Sequence, residues 1–96
     1  MKHTSRVKDY DGSNKELANQ VGDLFYDSMS EFLVYLAQKI RTDGEKDHAR
    51  GRVKLATELF ACSDNILTAS KNVSTAWKIC EPYVEEWLTN NGVERS

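Results

Sequence analysis

Residues 32–37 read FLVYLA, an unbroken run of six apolar residues in a chain of 96. A helix through this run is apolar on every side, so it needs neighbours on more than one side. That requirement constrains the fold more than any other stretch. Only one proline and five glycines punctuate the chain, which favours long helices, and strand-like alternation is absent outside this run. At this length one domain with a single core is expected.

Helical spacing surrounds the run. Ser13 followed by Glu16 is a capping box, in which side chains satisfy helix N–H groups that lack partners. Apolar residues then recur at 17, 21, 24, 25, 32, 35 and 36, with Ser28 as a small member. Asp43-Gly44 reads as a left-handed stop, so helix 1 is expected over 15–42, with a break near Ser28–Glu31 as an alternative. Helix 2 is expected over 45–70, with Ala49, Val53, Ala56, Phe60, Ser63 and Leu67 on its apolar face and Leu55, Leu59 and Ile66 at its edge. Asn72 and Ser74 read as punctuation. Helix 3 is expected over 74–90, with Val73, Ala76, Cys80, Tyr83, Val84 and Trp87 on one face. The apolar phase is unchanged across Pro82, which favours one bent helix over two short ones. The fold class is therefore all-α: an antiparallel three-helix bundle over 14–92, with a polar N-terminal arm at 1–13 and a tail at 93–96.

The helical wheel divides helix 1 into two stripes. Phe32, Tyr35 and Leu36 continue the face of Leu17, Val21, Leu24 and Phe25 and are assigned to the core. Met29, Leu33, Ala37 and Ile40 form a second stripe about 100° away, and Val34 points further round. This surplus apolar surface makes Met29, Leu33, Val34, Ala37 and Ile40 the expected interface of a homodimer.

Charge excludes some partners. Thirteen Lys plus Arg stand against 15 Asp plus Glu, a net charge of −2, which offers no general attraction to nucleic acid or an anionic membrane. The first 13 residues carry no apolar signal segment, and no apolar run approaches the ~18 residues of a membrane span. A cytoplasmic protein with no membrane partner is expected, its two cysteines reduced.

Three constellations could carry chemistry. His48, Arg50, Arg52 and Lys54, with Lys46 upstream, form a basic cluster at the expected start of helix 2. It could contact an anion or an acidic protein surface, or nucleic acid with help from Lys2, Arg6 and Lys8 of the arm. Alternate residues fan around a helix, however, and Gly51 interrupts the cluster. Glu45 and His48 have the Glu-x-x-His spacing of di-iron bundles, but a single copy supplies too few ligands. Cys62 and Cys80 would face each other across a hairpin turning near residue 72, as a redox pair or half a metal site; two small core residues is the plainer reading. No phosphate loop or nucleophile elbow is present. Glu16, Asp23 and Asp27, with Glu81, Glu85 and Glu86, offer acidic surface to a basic partner. The leading expectation is a non-enzymatic protein-interaction module (assembly factor, adaptor or inhibitor) that self-associates and has no cofactor. A nucleic-acid-binding regulator, and a metal or redox protein using Glu45, His48, Cys62 and Cys80, are the alternatives.

Overall fold

The structure, a computed structural model, describes residues 3–95. It is all-helical: α1 spans Asn14–Gly22, α2 spans Tyr26–Ala49 and α3 spans Val53–Asn90. The Glu16 N–H donates to Ser13 Oγ at 3.1 Å, so the expected cap starts α1. Three boundaries differ from the sequence reading, each for a local reason.

The first is a break at Asp23–Phe25, dividing the expected 15–42 helix. Asp23 closes α1 through its N–H to Asn19 and Gln20 carbonyls, and Phe25 is extended, with ψ 144. Gly22 weakens the helix here, and the Phe25 ring is held edge-on against Trp77, centroids 6.1 Å apart. The second is Gly44, which does not end a helix. It lies inside α2, buried, with no positive φ. Ion pairs from Lys39 to Asp43 (2.5 Å) and from Arg41 to Glu45 (3.7 Å) carry the helix past it. The third is the expected turn near residue 72, where α3 continues. Its hydroxyls bond backward: Thr75 Oγ donates to the Lys71 carbonyl (3.0 Å) and Ser70 Oγ to that of Leu67 (2.7 Å). Hydroxyls used this way are satisfied within a helix. The helix also passes through Pro82.

The chain reverses instead at Arg50–Arg52. Gly51 has φ +80; its N–H bonds the His48 carbonyl (3.0 Å) and that of Arg52 bonds Asp47 (2.9 Å). These two bonds are a Schellman motif, which needs a left-handed residue at the glycine. Gly92, at φ +61, ends α3 the same way, with its N–H on Thr89 and that of Val93 on Leu88.

α2 and α3 form an antiparallel pair. Ser30 Oγ donates to the Ser70 carbonyl (2.9 Å), Ser63 Oγ to the Ala37 carbonyl (2.8 Å), and Gly44 lies against Leu59 and Phe60. The residues in this seam recur every seven positions: Ser30, Ala37 and Gly44 on α2, and Ala56, Ser63 and Ser70 on α3. All but Ser30 are buried. Small residues let the two backbones approach closely enough for hydroxyls to reach across. The largest fully enclosed side chain among the described residues is that of Ser63. Long-range packing is concentrated in this pair, and α1 buries no residue fully.

A Cβ on Gly44 would lie 2.8 Å from the Phe60 ring and 3.3 Å from Leu59 Cβ, whereas one on Gly22 meets nothing within 4 Å. Gly44→Leu is therefore expected to destabilise the fold by about 1–3 kcal/mol. Gly22→Ala is expected to be neutral or to stabilise by up to about 1 kcal/mol. Urea unfolding of the two variants checks both signs.

Candidate functional site

The seam determines which side chains face out. In an antiparallel pair, residues that precede the seam positions on each helix point to the same side of the hairpin. On that side lie Met29, Leu36 and Asp43 of α2 with Leu55, Cys62 and Ala69 of α3. Asp43 and Leu55 do line one groove, as this geometry requires. Residues that follow the seam positions point the opposite way: Glu31, Gln38 and Glu45 with Thr57, Asp64 and Lys71. One side of the hairpin is thus apolar along most of its length and the other is polar. Leu36, Leu55 and Cys62 are exposed on the apolar side, and Phe32 is exposed on the outer back of α2.

This arrangement revises the expected stripes. Ala37 is fully buried against α3 of its own chain, so it belongs to the intrachain seam and not to a surface. Met29, Leu33, Val34 and Ile40 are half-buried beside it, while Phe32, Tyr35 and Leu36, assigned to the core by sequence, are exposed. The wheel had carried the phase of α1 across Phe25, where the helix breaks and the phase resets.

The basic cluster sits at the hairpin tip and not at a helix start. His48 closes α2, Arg50 and Arg52 flank Gly51, and Lys54 opens α3. An open groove of about 600 Å³ here is lined by His3, Lys39, Lys46, Arg50 and Arg52 together with Asp43 and Asp47. His48 and Lys54 do not line it. Arg52 pairs with Asp47 at 3.3 Å and Lys39 with Asp43. The hydrogen bond from Lys39 holds the Asp43 carboxyl below its ordinary pKa. His3 brings the arm to this end, while Lys2 lies outside the described residues.

The cysteines do not face each other. They lie on one continuous helix, roughly 27 Å apart along its axis; Cys62 is exposed and Cys80 half-buried. Among the described residues no three His, Cys, Asp or Glu side chains gather as a metal site would require. Glu45 and His48 stand in the last turns of α2, where Glu45 pairs with Arg41.

A second cluster escaped sequence reasoning. After Gly92 the chain turns back toward Trp77. The Arg95 guanidinium lies 4.5 Å from the Phe25 ring centroid and 5.0 Å from that of Trp77. It also bonds the Asp27 carboxylate and, at 3.3 Å, Ser28 Oγ. The hydrogen bond from Arg95 lowers the Asp27 pKa, and that bond likewise raises the pKa of Arg95. No motif announces this contact, because it joins residues 68 positions apart. The excess of aromatic and acidic residues near 25–27 was its only trace.

No helix among the described residues is long and apolar enough to cross a membrane. Comparison with protein-family models, curated proteins and solved structures finds no match.

The Asp27 shift gives a signed expectation. A carboxyl whose folded pKa is depressed contributes fully above its unfolded value and loses that contribution as pH falls through the folded one. The Arg95–Asp27 contact should therefore be unchanged from neutral pH down to the ordinary value of 3.8 and be lost only below it. Trp77 emission in a Trp87→Phe chain, followed during acid titration, checks this; a transition near neutrality contradicts it.

Proposed function

We propose that this protein is a non-enzymatic interaction module whose first partner is a second copy of itself. The observation that supports this reading is the one-sided hairpin, with Leu36, Leu55 and Cys62 open to solvent on its apolar side. The amount of open surface agrees with it. The accessible area is 7691 Å², against roughly 5,600 Å² for a compact monomer of this mass. The radius of gyration is 16.9 Å, against roughly 12.5 Å for a compact domain of this length. The excess, about 2,000 Å² per copy, is of the order that obligate dimers bury.

Two hairpins packed face to face about a two-fold axis make an antiparallel four-helix bundle. The neighbours that the 32–37 run requires then come from a second copy. The axis passes near mid-hairpin, where Leu36 and Cys62 stand at equal height. α3 is expected to bend at Pro82, which donates no N–H and crowds the Lys78 carbonyl, so that its last turns curve away from the seam. An exposed thiol beside a two-fold axis suits a reducing compartment, in keeping with a cytoplasmic protein.

Sedimentation equilibrium at micromolar concentration should give a dimer, and mild oxidation should link Cys62 to Cys62 of the second copy while leaving Cys80 free. Leu36→Glu removes one buried leucine from each copy. At about 1.5–3 kcal/mol per side chain, it should weaken the dimer a hundredfold or more. A monomer at all concentrations, with no Cys62 cross-link, refutes the reading.

One observation favours a second reading: Lys39, Lys46, Arg50 and Arg52 share the tip groove. A phosphate-bearing strand could bind there, although Asp43 and Asp47 are interleaved with the cations. Binding of an oligonucleotide that weakens with salt and is lost in Arg50→Ala plus Arg52→Ala supports it; no binding at low salt removes it.

A further inference from the structure

We propose that Phe25, Trp77 and Asp27 form a receptor site for an arginine side chain, which the chain's own Arg95 fills and for which an arginine-bearing peptide segment competes. Three features of guanidinium recognition converge there. The planar cation lies near the negative faces of two aromatic rings. A carboxylate, Asp27, accepts a hydrogen bond from the cation's Nη2. Ser28 Oγ accepts a further one at 3.3 Å. Each element is positioned independently of Arg95. Phe25 stands at the break before α2, Asp27 is in the first turn of α2, and Trp77 is on α3, its ring against that of Phe25.

The occupant is tethered to the body by a short irregular segment. Residues 93–95 follow the Gly92 turn in irregular, exposed backbone, and Val93 is bonded to the helix end by its N–H alone. Such a segment opens at little cost. Its departure uncovers a finished site beside a cavity of about 270 Å³, lined by Leu24, Tyr26, Cys80 and Val84 with Phe25 and Trp77 as shared walls. The preferred competitor is therefore an arginine next to an apolar residue. Glu81 and Glu85 of α3 add negative potential along the approach. Lysine fits less well, since its point charge cannot both stack on the rings and bond a carboxylate as a planar guanidinium does.

A tethered side chain has an effective concentration in the millimolar range. A free ligand must approach that level to displace Arg95, but needs no such excess once Arg95 is gone. The probe is N-acetyl-arginine amide and the reporter is Trp77 emission in a Trp87→Phe chain. The Arg95→Ala chain should show a saturable change, at least tenfold less ligand being needed than in the chain that keeps Arg95. Adding Asp27→Asn should abolish it, and N-acetyl-lysine amide should bind more weakly. Equal response with and without Arg95, or none in an Arg95→Ala chain whose helical circular dichroism is intact, overturns the proposal. A measurement on the unaltered chain guards against misfolding of the variants: ring currents from Phe25 and Trp77 should move the Arg95 side-chain protons upfield, and ordinary shifts overturn it equally.

Discussion

The close approach of α2 and α3 depends on residues too small to fill a conventional core. Where Ala37, Gly44, Ala56, Ser63 and Ser70 meet, backbones come near enough for Ser63 Oγ to reach the Ala37 carbonyl across the seam. A larger side chain at any of these positions would have to displace a neighbour, as the Phe60 ring against Gly44 shows. Small residues bury little apolar area, however, and the hydrophobic gain scales with that area. The bonds across the seam therefore fix register more than they add stability. Large apolar side chains are displaced to the flanks of the pair, and this creates the asymmetry between its two sides.

Length mismatch adds a second consequence. α3 has 38 residues and α2 has 24, so α3 overhangs by roughly 21 Å at 1.5 Å per residue. Ile79, Tyr83 and Trp87 on the overhang are 69%, 72% and 57% exposed. The α1–α2 joint and the returning segment at 93–95 reach this end. Arg95 lies across both, touching Phe25 and Asp27 on one side and Trp77 on the other. The overhang is thus tied to the body by cation–aromatic and ionic contacts, while the hairpin proper is tied by its seam.

Much of the fold was legible in the sequence where the signal was local. The Ser13 cap, the stop at Gly92, the helical phase of Ala56, Phe60, Ser63 and Leu67, and continuity through Pro82 all follow from short-range rules, and the structure has each of them. The misreadings come from residues whose usual preference was overruled by their surroundings in the fold, near or distant. Gly44 reads as a stop but serves as a gap for Phe60. Asn72 and Ser74 read as punctuation, yet they sit in a helix whose neighbouring hydroxyls bond backward to its own carbonyls. Conversely, Gly51 was taken as a flaw in a basic helix, although a Gly between Arg50 and Arg52 is a strong turn signal. On helix 1 the wheel carried the phase of α1 across the break at Phe25. The predicted interface then fell on Ala37, at the centre of the seam. The Arg95 cluster had no local signature at all.

Stability and association are linked by the same geometry. Ordering a residue costs about 1–2 kcal/mol of backbone entropy, and long helices recover that mainly by burying one face. Here α2 and α3 fully bury only alanine, glycine and serine, and Phe32, Tyr35, Leu36 and Leu55, which could recover more, face out. In the proposed pairing, each copy supplies the second apolar wall that the other lacks, so folding and dimer formation draw on one set of contacts. The polar side, with Glu31, Gln38, Asp64 and Lys71, stays hydrated and opposes stacking of further copies. A hairpin with two apolar sides would have no such stop: it would continue into larger assemblies, whereas one apolar side closes at two.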